Sequence, residues 1–479
     1  MSHLVIAPIL LPAVLAGLIL LVARGIALQR LIALAGAAGF LALALLLAGR
    51  GGAPVAYHLG NWPAPFGIVL IADGLSVLML LLLAVVALPV LVYTMASGWD
   101  ARGRHFHALF LFLLAGLAGA FLTADAFNLF VFFELLLIAS YGLMVHGGGA
   151  GRLRAGIQYV GFNLVGSTLF LFALATIYAV TGTLNMADLA QKWPLLPPGD
   201  QALARVAAVL LLMVFAVKGA LVPLQFWLPG TYAAAPGPVA ALFAIMTKVG
   251  AYAALRLGWL VFDAGPTAGM WAELLQPAAL ATLALGAVGV LGSRDLPRQA
   301  AFAAIGSMGL VFLCVAAATP GATVAALYYL IHSTLAGAAL FLVADLAGRR
   351  GASGPVAALF MASAIAVAGL PPLSGFLGKI LLLQALEAQA PLIWSAVLLA
   401  SFLTILGFAL TGSARFWKAR GTAPTAAEPL ALAATGLLLA GLVAMTLLAG
   451  PLTLWLKGVA EGLADPAPYI AATAPQSGG

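Results

Sequence analysis

The sequence predicts an all-α membrane protein of about 14 transmembrane helices, with two inverted-topology repeats and two discontinuous helices. Three observations predict this. Of 479 residues, 64% are hydrophobic and 7% are charged, a balance that soluble domains do not keep. Apolar stretches of spanning length recur along the whole chain. Two of those stretches are broken by prolines beside a lysine: Lys218 with Pro223, and Lys379 with Pro371 and Pro372.

At about 20 apolar residues per span, the segments fall near 4–23, 31–48, 74–94, 107–122, 127–145, 157–180, 203–228, 238–260, 274–291, 299–318, 322–346, 355–388, 391–412 and 429–456. Apolar segments continue after the first, so it reads as a spanning helix and not as a cleaved signal. The stretch Gly49 to Gly67, with Asn61-Trp62-Pro63-Ala64-Pro65-Phe66, is too long for a tight turn and reads as a wet loop. Thr181 to Asp200 reads as the other long loop.

The seventh segment carries a lysine at membrane depth and then Pro223, which removes a backbone donor and clashes with the preceding turn. The twelfth is interrupted by Gly369-Leu370-Pro371-Pro372-Leu373-Ser374-Gly375. A broken helix is tolerated in a bilayer only where the freed backbone is buried in protein or lines a wet cavity. Paired interruptions in two halves of a chain are a sequence pointer to a transport region. The chain divides accordingly into N-terminal helices (1–106), a first repeat (107–260), a second repeat (261–412) and a C-terminal helix and tail (413–479).

Basic residues set the orientation. Arg24, Arg30, Arg102, Arg104, Arg152, Arg154, Arg294, Arg298, Arg349, Arg350, Arg415, Lys418 and Arg420 fall in one set of alternate loops. Only Arg50, Lys192, Arg205, Arg256 and Lys457 fall in the other. The positive-inside rule puts the first set in the cytoplasm and both termini outside.

The formal charge of +7 is spent on topology, so nucleic acid is not an expected partner. The one cysteine, Cys314, allows no internal disulfide, and no Cys/His cluster has metal-ligand spacing. No glycine-rich phosphate loop or nucleotide fingerprint occurs, so neither a cofactor nor a metal is expected.

The chemistry therefore rests on charges inside apolar helices: Glu134, Lys218, Lys248, Lys379 and, as a fifth candidate, His332. Ionisable residues at membrane depth are costly and mark ion or proton pathways. Three lysines outnumber one carboxylate, so they cannot all be static ion pairs. Burial favours the neutral lysine and a nearby carboxylate favours the charged one. A carboxylate about 6 Å away at an effective dielectric of about 20 is worth roughly 3 kcal/mol, about a hundredfold in proton occupancy. Moving such a pair together and apart would load and release a proton. Structural readings stand beside this one. Glu134 and Lys218 could be a tie between helices, Lys248 could snorkel, and His332 could be a packing histidine bonded to a carbonyl. Asp73 and Asp125 lie near helix ends and read as caps.

The motifs Phe132-Phe133-Glu134, Lys218 with Pro223-Leu-Gln-Phe-Trp-Leu-Pro229, Thr247-Lys248-Val-Gly250 and Gly369-Leu-Pro-Pro-Leu-Ser-Gly-Phe-Leu-Gly-Lys379 resemble the antiporter-like subunits shared by respiratory complex I and the Mrp cation/proton antiporters. Asn61-Trp-Pro-Ala-Pro-Phe-Gly-Ile68, Pro229-Gly-Thr-Tyr-Ala-Ala-Ala-Pro236 and Ala241-Leu-Phe-Ala-Ile-Met-Thr-Lys-Val-Gly250 are most similar to the D-type subunits of the Mrp (Mnh/Pha) branch. The resemblance covers nearly the whole chain. It implies that Glu134 and Lys218 form the coupled pair of a first half-channel, Lys248 links it to the centre, His332 belongs to a connecting axis and Lys379 serves a second half-channel. It implies a bacterial inner-membrane complex with A, B, C, E, F and G type subunits exchanging Na+ or K+ for H+. Many relatives in the complex I branch place a basic residue in the tenth helix. Here Ala301-Phe-Ala-Ala-Ile-Gly-Ser-Met-Gly309 offers only Ser307, so water has to bridge that stretch.

Three functions compete. The first is a secondary-transporter subunit for cation/proton exchange, not an enzyme. The second is a proton-pumping subunit of an NADH–quinone oxidoreductase or membrane-bound hydrogenase complex. The third is a scaffold that has lost transport, against which the full set of charges argues.

Overall fold

The computed structural model describes residues 2–351, 354–417 and 428–474. Lys418 and Arg420, two of the basic loop residues, lie outside the described residues. Helices α1 (Ala7–Val22) and α2 (Ile26–Ala48) precede a two-stranded antiparallel sheet, β1 (Val55–His58) with β2 (Val69–Ala72). Then come α3 (Gly74–Ala96), α4 (Phe106–Leu122), α5 (Ala126–Met144), α6 (Ala150–Thr181), α7 (Met186–Lys192) and α8 (Pro198–Gly219). Three shorter helices follow: α9 (Trp227–Ala234), α10 (Gly237–Phe243) and α11 (Met246–Leu257), the last running into a π-helical turn over Gly258–Phe262. The second half holds α12 (Met270–Gly292), α13 (Leu296–Ala317), α14 (Pro320–Arg350), α15 (Gly354–Ala368), α16 (Ser374–Ala385) and α17 (Ala390–Gly412). The chain closes with α18 (Pro429–Leu447), α19 (Ala449–Ala464) and α20 (Ala467–Thr473).

Among the described residues, 11 helices are long and apolar enough to cross a membrane, and four apolar helices, α1, α4, α15 and α16, are shorter. The all-helical membrane class expected from composition is therefore the observed class. The small sheet is an addition. It occupies part of the expected wet loop, where Val55 pairs with Ala72 and His58 with Val69. Val69–Ala72 is buried, and the Val69 carbonyl accepts from the Ala124 amide at 2.9 Å. Short β-branched runs separated by a stretch with two prolines carry no hairpin signature, which is why the sequence reads there as a loop. The expected last span, 429–456, is divided at Leu448 into α18 and α19. The loop Thr181–Asp200 contains α7, started by the Asn185 side chain, which accepts from Ala187 N and Asp188 N at 3.1 Å.

The core runs along α3, α4, α10, α11, α13 and α14, whose side chains are buried on nearly all faces. Helices α2, α6, α12 and α17 expose Leu, Val and Phe outward, the pattern of a lipid-facing shell. A helix apolar all round is either buried or in lipid, and here both kinds occur in layers.

Each end of the bundle is tied by charge. At one end the basic loops meet. Arg30 donates to both Asp100 carboxylate oxygens, at 2.6 and 3.0 Å, and His107 Nε2 lies 3.0 Å from the same group. Arg349 joins Asp345 and Glu428, Arg350 also pairs with Glu428, and Asp345 accepts from the Tyr93 hydroxyl at 2.6 Å and the Trp99 indole at 3.0 Å. At the other end Arg256 forks onto Asp73, with contacts of 2.5 and 2.7 Å, while Tyr252 OH donates to Phe121 O at 2.7 Å. Tyr469 of α20 stacks on Arg256, 5.0 Å from ring centre to guanidinium, so the expected tail is packed there. Asp73 and Asp125 do cap helices, accepting from Ser76 N at 2.9 Å and Asn128 N at 2.7 Å.

Burial alone would raise the Asp100 carboxyl, but hydrogen bonds from His107 and Arg30 outweigh it and hold the group at about 2. A depressed carboxylate stabilises the fold fully above its ordinary value of about 3.9 and loses that contribution as pH falls toward about 2. Asp100→Asn is expected to lower the thermal midpoint of the purified complex at pH 7 and to flatten the fall in stability between about pH 4 and pH 2. Scanning calorimetry across that window checks it.

Candidate functional site

Lys218 is the last residue but one of α8. The helix ends there before it reaches Pro223, because the residue ahead of a proline is pushed out of helical geometry. Ala220 adopts a left-handed conformation (φ 53°), Leu221 N bonds back to Ala216 O at 2.9 Å and Ala220 N to Val217 O at 3.2 Å. This is a Schellman closure. Side chains add to this closure: Val217 O also accepts from the Trp227 indole at 3.1 Å, and Val222 N donates to Thr282 Oγ1 at 2.8 Å.

The interruption between α15 and α16 closes in the same way. Gly369 is left-handed (φ 75°), Leu370 N bonds to Ile365 O at 3.0 Å and Gly369 N to Ala366 O at 3.1 Å. Lys379 follows this break in sequence, yet its ammonium reaches back across it. Nζ donates to Ala368 O, the last carbonyl of α15, at 2.7 Å, and to Ser401 Oγ at 2.8 Å. Both lysines therefore sit at the negative end of a helix that stops inside the bundle. Unsatisfied carbonyls and the helix dipole there favour a cation.

Glu134 and Lys218 do not touch. Glu134 on α5 accepts a short hydrogen bond from Ser167 Oγ, and Lys218 Nζ donates to Asn163 Oδ1 at 2.6 Å. Asn163 and Ser167 stand one turn apart on α6, so this helix carries the link between carboxylate and ammonium. Among the described residues no carboxylate forms an ion pair with Lys218, Lys248 or Lys379. A direct tie between Glu134 and Lys218 is therefore not what the fold uses them for.

Lys248 is 1% exposed and cannot snorkel. Among the described residues its ammonium has only long contacts, 3.5 Å to Thr247 Oγ1 and 3.4 Å to Ser307 Oγ. Ser307 is the residue that the tenth segment offers in place of a base. Beyond it lies a cavity of about 40 Å³ whose walls include Ser307, His332, Ser333, Lys379, Ser401 and Thr404. That volume has room for about three or four waters at about 10–15 Å³ each. His332 Nδ1 is 2.9 Å from Ser374 Oγ, the first residue of α16, and the ring also bonds the Ala366 backbone, so it bridges the two sides of the second break. A smaller void of about 10 Å³, touching Lys218, Asn163 and Tyr159, lies against Met246 and Val249 beside Lys248.

The structure thus brings the expected residues together in two groups, Glu134 and Lys218 through α6, and Lys248, His332 and Lys379 through Ser307 and its cavity. Sequence reasoning missed Asn163, Ser167, Ser374 and Ser401. One signal could have flagged Asn163: it lies on the inward stripe Tyr159, Asn163, Gly166, Ser167, Phe170 of an otherwise lipid-facing helix.

Residues 123–406, which hold all five of these side chains, match the family described as NADH:quinone oxidoreductase/Mrp antiporter, TM. The chain belongs to that family. Within the NADH:quinone oxidoreductase/Mrp antiporter family it is 39% identical to a Rhizobium meliloti protein described as the D subunit of a probable K(+)/H(+) antiporter, over 97% of this chain and 96% of that one. It is 38% identical to the Na(+)/H(+) antiporter D subunit of Bacillus subtilis, over 98% and 99% of the two chains. A chain in the solved Mrp complex of Dietzia sp. DQ12-45-1b superposes with a TM-score of 0.89 at 28% identity, covering 98% of this chain and 99% of that one.

Proposed function

We propose that this chain is the proton-translocating D-type subunit of a multisubunit Na+(K+)/H+ antiporter, moving protons along Glu134, Lys218, Lys248, His332 and Lys379. The observation that carries this is the series of three lysines within the bundle, Lys218 and Lys248 buried and Lys379 half-buried, without ion-pair partners among the described residues, two of them at helix ends that stop within the bundle. Such groups can gain and lose a proton without breaking a salt bridge. Hydroxyls and the cavity between Lys248 and Lys379 supply exchangeable hydrogen bonds between stations. The names of the D-type relatives from Rhizobium meliloti and Bacillus subtilis support cation exchange as the coupled reaction.

In this reading α8 with α9, and α15 with α16, are each one interrupted crossing, which brings the count to about 14. The matching Schellman closures support two repeats, 107–260 and 261–412, between an N-terminal unit (1–106) and a C-terminal one (413–479). The subunit works in the bacterial inner membrane with Mrp-type A, B, C, E, F and G partners. The complex purified through this chain and reconstituted in vesicles is expected to exchange Na+ or K+ when a pH gradient is imposed. Co-purification of soluble iron–sulfur subunits, with no exchange, would instead establish a redox-driven pump.

Orientation gives a separate test. Arg154 is exposed beyond the start of α6, whereas the Arg152 guanidinium is engaged by Ala234 O, His146 O and Gly148 O. Cysteine at Arg154 is expected to label from the cytoplasm, and cysteine at Glu461 on α19 from outside. The native Cys314 is fully buried and keeps the background low. The reverse labelling pattern would invert the topology.

A further inference from the structure

Asn163 is buried, 2% exposed, and its amide is held in one orientation. A lysine ammonium has donors and no acceptor, so the oxygen has to face it. Lys218 Nζ takes that oxygen at 2.6 Å, and Asn163 Nδ2 donates to Tyr159 O, one turn back on α6, at 2.8 Å. One turn onward, Ser167 holds Glu134. A neutral, oriented acceptor therefore stands against the ammonium, and the carboxylate is engaged one turn away.

We propose that Asn163 is a positioning residue that sets the proton affinity of Lys218 and keeps Glu134 from closing onto it. The inference rests on the proton-translocating reading. A carboxylate in contact with a buried ammonium locks the pair, since separating them leaves two unpaired charges in low dielectric. An amide oxygen supports the ammonium without that lock and leaves the neutral amine accessible. Glu134 then modulates Lys218 through space, which a small movement of α5 against α6 can vary. The other ionisable groups facing this lysine are Tyr159 of α6 and Tyr232 of α9, with Tyr141 of α5 beside Glu134 and Lys248 further along α11. None of these is a second carboxylate, so the identity of residue 163 controls the local charge balance.

The test is the pH profile of exchange by the reconstituted complex, from about pH 6 to about pH 10. Asn163→Asp places a carboxylate in contact with Lys218, which then releases its proton only at higher pH. The profile should move alkaline by about two units, with exchange near neutrality falling at least about tenfold. Asn163→Leu removes the acceptor at similar volume and should move the profile acid by about one unit. Asn163→Gln keeps an amide oxygen and should stay within about half a unit of the native profile. Shifts of opposite sign are not produced by a packing defect. If the Asp and Leu variants lower exchange at every pH without moving the profile, Asn163 is only a spacer. Should the Asp variant fail to assemble on native gels, an unmoved Leu profile overturns the proposal by itself. Glu134→Gln is the separating arm. A dead Glu134→Gln with an unmoved Asn163→Asp profile sinks this inference alone, and a fully active Glu134→Gln sinks the reading beneath it.

Discussion

Glu134→Gln is expected to abolish cation exchange driven by a pH gradient while the complex still assembles. Glutamine keeps the shape and can still bond Ser167, so α5 and α6 should pack as before. What it removes is the charge. A carboxylate about 6 Å from an ammonium, at an effective dielectric of about 20, is worth roughly 3 kcal/mol, about a hundredfold in proton occupancy. Lys218 would then stay neutral through most of the cycle. Lys218→Arg should fail for the opposite reason, because a guanidinium held by Asn163 cannot give up its proton near neutral pH. Lys218→Ala should also stop exchange, and it leaves the Asn163 oxygen buried without its donor. Exchange in vesicles, with assembly followed on native gels, measures all three. Normal rates in assembled Glu134→Gln and Lys218→Arg complexes would mean that this pair does not gate the proton.

The sequence makes part of this site legible and hides the rest for physical reasons. Lys218, Lys248, Lys379 and Glu134 stand out because a charge in an apolar helix has a large cost and needs a reason. Pro223, Pro371 and Pro372 make the helix ends legible because proline restricts its own residue and the one before it. Asn163, Ser167, Ser374 and Ser401 carry no such mark. Neutral hydroxyls and amides are cheap to bury and can bond carbonyls of their own helix, so one serine in a span looks like another. Their meaning comes from the neighbour they meet, which is tertiary information. Lys379 illustrates the same limit. In sequence it lies after its break, unlike Lys218. Only the fold shows its ammonium reaching back to Ala368, so that each lysine belongs to a helix end inside the bundle, Lys218 by its place in the last turn of α8 and Lys379 by its bond to the last carbonyl of α15. Asp345 is hidden in another way. Nothing in the sequence beside Arg349 and Arg350 marks its partners, yet it accepts from Tyr93 of α3 and Trp99 of the loop that follows and ties both to α14.

Gly369→Ala is expected to reduce exchange at least about a hundredfold, to the level of Lys379→Ala, without loss of assembly. Gly369 is left-handed, with φ of 75°, and an alanine there carries strain of order 1 kcal/mol. That strain is tolerable, since Ala220 adopts the same conformation at the matching closure of α8. The larger effect is steric. A Cβ on Gly369 would stand 2.8 Å from Cδ, Cε and Nζ of Lys379, closer than real contacts allow. The backbone closure is fixed, so the lysine is what has to move, losing Ala368 O and Ser401 together. Gly182→Ala supplies the control: it has a similar φ of 69° with nothing within 4 Å of the added carbon, so it carries the strain alone. It should exchange at close to the native rate. Lys379→Ala removes the same station directly and should match Gly369→Ala in rate and in dependence on pH. If Gly369→Ala instead exchanges as well as Gly182→Ala, the seat of Lys379 on the end of α15 is not needed for transport, and the second break is a packing feature of the bundle.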